Sequence, residues 1–287
     1  MKRIKVILKY TMLAFGTLVL SLALFYALTT PTSQGPWKPE YARLAQIDQD
    51  GAFVTIHNFR RMRFDSSGQP LKTEWQRRDV DLRDLKSAWF GVSVFGKAGL
   101  AHTFLSFDFG DGDPVVISVE ARQRPDQQYS PVSGVFDAYP LIYIVADEVD
   151  IIGQRTHIRA NQVYFQPMAL EKGDVQTLFQ NIIKRINALK AEPEFYNTLT
   201  ANCTNSLLAG VDFPQWRRYA DPRIMLPGYS DRVAYDFGWL DQRFLLDDLR
   251  RIAWLDPADF ALDMPDFSTF LRQSYSRRRS DLSPMLP

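Results

Sequence analysis

The sequence predicts an α+β fold, an antiparallel sheet with helices packed on one side, preceded by one N-terminal transmembrane helix. Three observations carry that expectation. Residues 10–28 hold no charged side chain. Between residues 51 and 170 lie several β-branched and aromatic runs, punctuated by glycine, proline and aspartate. From residue 172 the apolar spacing changes to the three-and-four pattern of an amphipathic helix.

As a helix, the uncharged run is long enough to cross a hydrocarbon core of roughly 30 Å. Lys2, Arg3, Lys5 and Lys9 precede it, and the next basic residue is Lys38. That bias keeps residues 1–9 cytoplasmic and exports the chain beyond the span. A cleaved signal peptide would have a shorter apolar core and a small-x-small cleavage site. "FYALTTPTSQG" offers no clean site of that kind. The expectation is therefore a single-pass inner-membrane anchor over 10–28 and a tether over 29–45. A periplasmic body over 46–245 comes next, and then a C-terminal helical appendage and tail over 246–287.

Within the body, "GAFVTIHNFRRMRF" reads as a strand and "DSSGQP" as a turn. "VDLRDLKSAWFGVSVF" combines a capped helical turn with a strand. "AHTFLSFDF", "GDGDP" and "VVISVEAR" form the clearest hairpin, and "YPLIYIVADE" and "NQVYFQPMAL" read as further strands. "KGDVQTLFQNIIKRINALKAE" aligns Val175, Leu178, Phe179, Ile182, Ile183, Ile186 and Leu189 on one helical face, with Pro193 as the stop. "NCTNSLLAGV" reads as a second helix ending near Gly210. From Asp212 onward, short helices wrapped on the core and a frayed tail are expected.

The hairpin fixes a candidate base. Alternate strand residues share a face, so His102, Phe104, Ser106 and Asp108 lie opposite the apolar set Thr103, Leu105, Phe107 and Phe109. Burying the apolar sets of both arms together pairs even positions with even ones, because a one-residue slip inverts every side chain. With the turn centred near Asp111, His102 falls opposite Glu120 or one diagonal step away, beside Arg122. A carboxylate in that position orients an imidazole for proton transfer. An ordinary cross-strand ion pair is the plainer alternative.

Cys203 is the only cysteine among 287 residues, so no internal disulfide is available to it. "TANCTN" places it at the first position of a helix, with Asn202 as the N-cap. A helix N-terminus lowers a thiol's pKa, and the Cys203 N–H with the Asn202 amide would face an oxyanion. The plainer readings are a small buried hydrophobe for the thiol and a simple cap for Asn202. His57 and His157 read as structural or surface residues. Asp147, Glu148 and Asp150 read as a solvated strand end rather than a cation site. No H-E-x-x-H pattern or ligand cluster is present, so neither metal nor cofactor is expected. With 34 basic and 33 acidic residues, no bulk charge draws the chain to nucleic acid.

Taken together, "HTFLSF", "SVEAR", "DEVDIIGQR" and "FYNTLTANCTN" resemble the Lnb N-terminal periplasmic domain family over roughly residues 50–240. That family in turn resembles the permuted papain-like thiol enzymes, in which histidine precedes cysteine, such as the lecithin:retinol acyltransferase-like and NlpC-type proteins. The resemblance implies Cys203 as nucleophile, His102 as general base and Glu120 as the orienting residue. The implied activity is that of a thiol hydrolase or acyl/peptidyl transferase on an envelope amide or ester. Peptidoglycan, lipid or lipoprotein would supply the substrate. A non-catalytic envelope binding module, docking through "FPQWRRYADPRIMLPGYSD" and Trp216, is the alternative.

Overall fold

A computed structural model describes residues 2–65, 70–97, 99–211 and 213–285. The strands are β1 (Gln46–Asp50), β2 (Phe53–Phe64), β3 (Pro70–Asp81), β4 (Ser87–Val94) and β5 (Ala101–Asp108). They continue as β6 (Val115–Ala121), β7 (Tyr139–Ala146), β8 (Gln162–Pro167), β9 (Phe195–Tyr196) and β10 (Trp254–Leu255). The α-helices are α1 (Lys2–Leu28), α2 (Pro131–Val135), α3 (Lys172–Ala191), α4 (Cys203–Leu208) and α5 (Gln215–Ala220). After them come α6 (Pro222–Met225), α7 (Ser230–Asp236), α8 (Leu246–Ala253) and α9 (Phe267–Ser280). A π-helical run, Val149–Ile158, links β7 to β8. In α1 the described side chains are those of residues 9–21 and Leu24. Among the described residues, no helix is long and apolar enough to cross a membrane.

The fold is mixed α+β around one large sheet, in the order β1-β2-β7-β6-β5-β4-β8-β10, with β3 on β2 and β9 on β7. Its pairings are antiparallel except for the β2–β7 contact at Arg60↔Ala146. The expected hairpin forms from β5 and β6 in the anticipated even-with-even register, Phe104↔Ser118 through Phe107↔Val115. The residue 65–70 turn falls mostly outside the described residues.

Helices cover both faces of the sheet, not one as expected. On one face Phe107 meets Phe179 of α3 with ring centroids 4.8 Å apart, and the Tyr143 hydroxyl donates to the Ser206 carbonyl of α4. All seven apolar residues assigned to the α3 face are buried. On the other face Trp89 packs edge-on against Tyr275 of α9 at 5.5 Å. Gly91, on β4, allows Phe104 to lie flat on the sheet, since a Cβ there would stand 2.1 Å from the ring.

Residues 246–285 do not stand apart as an appendage. β10 extends the sheet edge beyond β8, and Phe267, Leu271 and Tyr275 belong to the main core. The arginines that open the expected frayed tail are helical through Ser280, and Arg272 explains why α9 matters. Its guanidinium donates to Asp108 at 2.9 Å and to both oxygens of Glu148 at 2.9 and 3.0 Å. Glu148 also accepts from the Ser106 hydroxyl.

Candidate active site

The hairpin register continues beyond its last paired rung and brings His102 beside Glu120. Nε2 of His102 lies 2.7 Å from Ser118 Oγ and 3.4 Å from Glu120 Oε1. The Ser118 hydroxyl donates to Glu120 Oε1 at 2.8 Å. Its oxygen must therefore accept from the ring, which assigns the proton to Nε2 and leaves Nδ1 as the basic nitrogen.

Arg155 completes the cluster. Its Nη2 donates to Glu120 Oε1 at 2.6 Å and to Ser118 Oγ at 3.2 Å. Nη1 donates to the Ile151 carbonyl, and the guanidinium lies over the Phe104 ring. Burial raises the cost of charging Glu120, but the opposing pull of His102 and Arg155 outweighs it and holds the carboxyl near about 2. For His102 burial wins over the attraction of Glu120, and the imidazolium is pushed down to about 3. The resting ring is neutral.

Cys203 opens α4, and Asn202 caps it: Oδ1 accepts from the Asn205 N–H at 2.9 Å. Both hydrogens of the Asn202 amide are taken by the Thr198 and Ile224 carbonyls. The side chain is thus committed to holding the turn, and the expected role of its amide toward an oxyanion is not supported by the geometry. Cys203 is only 1% exposed, and its sulfur accepts from the backbone N–H of Thr103 at 3.4 Å. Thr103 follows His102 directly in β5. The β5–β6 ladder reaches only as far as Phe104, so the Thr103 N–H, beyond its end, is open to the sulfur.

The sulfur thus meets the backbone of the residue that follows His102, while the His102 ring is bonded to Ser118 on the other face of the strand, and among the described residues no hydrogen bond joins sulfur and imidazole. The thiol's pKa does not follow the expectation. Burial pushes it above its ordinary value, against the Thr103 N–H bond. Six residues of helix provide too little aligned dipole to reverse the loss of water.

His102, Glu120, Arg155, Arg159, Tyr129 and Tyr196 line a cleft of about 420 Å³. Cys203 does not line it. Burial raises the Tyr196 hydroxyl well above its ordinary value.

Ser118 and Arg155 escaped sequence reading because neither carries a nucleophile's or a base's signature. Only the position of Arg155 within "DEVDIIGQR" marked it. The acidic run in that same stretch is buried, not solvated. Asp150 pairs bidentately with Arg60 at 2.9 and 2.8 Å. Asp147 pairs with Arg61 and Arg63, and Glu148 with Arg272. Among the described residues no group of acidic, histidine or cysteine side chains is arranged to hold a metal. His57 contacts Asp48 at 2.8 Å on the surface. His157 Nε2 sits 3.2 Å from the Phe260 carbonyl. Trp216 is largely exposed on α5.

Compared with known families, residues 72–231 match the Lnb N-terminal periplasmic domain. No curated protein and no solved structure matches the chain.

Proposed function

This chain belongs to the Lnb N-terminal periplasmic domain family, and from that premise we propose that it is a thiol acyl-transfer enzyme of the cell envelope. The observation that carries the reading is the bonding of His102 Nε2 to Ser118, backed by Glu120 and Arg155, on the strand whose next residue binds the Cys203 sulfur through its backbone N–H. The chain order, histidine before cysteine, also supports this reading, since it is the order of the permuted papain-like enzymes.

In the mechanism, Nδ1 of His102 takes the thiol proton as Sγ bonds to the acyl carbon of an ester or amide. The leaving alcohol or amine departs with the proton returned by His102. Water or an acceptor amine, deprotonated by the same nitrogen, then releases the acyl group. Glu120 and Ser118 hold the ring and favour the transient imidazolium. The two groups rest uncharged, so the proton moves during attack and not before it. Stem peptides, lipids and lipoproteins supply such bonds near the membrane.

Anchoring at the inner membrane fits the same reading. Helix α1 contains the uncharged run of residues 10–28 behind four basic residues, and its 27 residues extend about 40 Å at the usual helical rise. The body then lies in the periplasm.

A second reading, a binding module without catalysis, draws on Trp216 and Tyr219, which are 66% and 55% exposed on α5. The discriminating experiment treats the full chain in detergent with p-nitrophenyl acetate and measures intact mass. The enzyme reading expects one acetyl adduct, absent from Cys203→Ala and formed more slowly by His102→Gln. No adduct, or one that persists in Cys203→Ala, favours the binder.

A further inference from the structure

The charges of the cleft are unbalanced. Lys38, Arg155 and Arg159 line it together with a single carboxylate, Glu120. Arg155 is already paired with that carboxylate. Lys38 donates one hydrogen to the Gln123 side-chain oxygen at 2.8 Å and keeps two. Arg159 stands on the exposed rim and, among the described residues, makes no ion pair. Its charge bears on His102 and Glu120 across the cleft.

A guanidinium offers five donors in a planar fork suited to carboxylate or phosphate oxygens. Within a cleft walled by protein, unmatched positive charge attracts an anion more strongly than it would on an open surface. Gln128 and Asn161, which also line the cleft, add polar capacity without charge. Apolar lining by itself would suit a bare acyl chain, but three cations and three amides also face this cleft among its aromatic and aliphatic residues.

We infer that the cleft selects acyl substrates carrying an anionic group, carboxylate or phosphate, close to the scissile bond, with Arg159 as the recognising residue and Lys38 assisting. This rests on the thiol-enzyme reading above. It adds a substrate class that the pairing of Cys203 with His102 leaves open.

Two alkylating reagents of nearly equal size test it on the full chain in detergent. Iodoacetate carries a carboxylate and iodoacetamide is neutral, and Cys203 is the chain's only cysteine, so intact mass reports one site. The urea-unfolded chain gives the reference ratio of the two rates. The expected result is an iodoacetate-to-iodoacetamide ratio about fivefold higher in the folded chain, shrinking as added salt screens the cleft. Arg159→Gln should bring the ratio down to the unfolded value, and Arg159→Lys should restore part of it. A folded ratio no higher than the unfolded one overturns the inference. Failure of iodoacetamide itself to modify the folded chain overturns the thiol-enzyme reading instead. Acetate and inorganic phosphate, added at equal concentration as protectants, separate the two anions: the one that slows alkylation more names the group. If neither slows it, anion recognition is refuted.

Discussion

On the proposed thiol mechanism, the neutral resting states of Cys203 and His102 make a specific prediction about pH. Burial holds the thiol above its ordinary value of 9.0 and the imidazolium at about 3. At pH 7 such a thiol is no more than about 1% thiolate, and the ring is almost wholly unprotonated. Two routes to attack remain. Assisted attack uses the neutral ring as base, and its rate is flat wherever thiol and imidazole are both uncharged, from about pH 5 to about pH 8. Unassisted attack waits for free thiolate and rises tenfold with each pH unit until the thiol ionises. Positioned bases contribute about 10²-fold or more, so at pH 7 the wild-type chain should outpace His102→Gln by about that factor. The two should converge above the thiol's pKa. The assay is iodoacetamide alkylation of the full chain from pH 5 to 10, read by intact mass, with far-ultraviolet circular dichroism confirming that the variant is folded. Superimposed profiles would refute the idea that His102 serves the sulfur. So would an ion-pair signature, with wild-type reactivity already maximal at pH 5.

The pairing of Glu120 with the buried Arg155 makes Glu120→Gln destabilising by about 3–5 kcal/mol, because it leaves a buried guanidinium without its carboxylate. Since the folded pKa of Glu120 lies below its ordinary 4.5, that stabilisation is present above pH 4.5 and is lost as pH falls through about 2. The gap in urea midpoint between wild type and variant should therefore narrow on acidification, and a gap independent of pH would contradict this. Arg272→Met should cost about 3 kcal/mol by stranding Glu148, with Glu148→Gln in the same chain recovering most of it in thermal unfolding. Gly91→Ala should lower stability by about 1–3 kcal/mol by forcing the Phe104 ring off the sheet, whereas Gly51→Ala, with open space around its Cβ, should show only the cost of its positive φ.

What the sequence made legible was periodic and local. Strict alternation on both arms of the hairpin set the register, so the meeting of His102 and Glu120 followed from arithmetic alone. The α3 face and the Asn202 cap were equally readable, because each depends on residues within a few positions of one another. The network around the acidic run was not. Asp147, Glu148 and Asp150 find their partners on β2 and α9, and no period links residues so far apart. Likewise the arginines that close α9 read as the start of a frayed tail because they suggest solvent, although the helix runs through Ser280 and its apolar side packs against Trp89. The thiol's pKa went the other way from expectation because burial outweighed a helix of six residues, and burial is a property of the finished fold.

Arg272 also dictates an order of events. It reaches Glu148 across 124 positions and Asp108 across 164. Until α9 arrives, a buried carboxylate lies uncompensated at the root of the strand that carries His102. Asp108 closes β5 at the end opposite His102, so the middle of the sheet is neutralised only when nearly the whole polypeptide is present, and a chain cut before α9 should lose its central strand and not merely its tail.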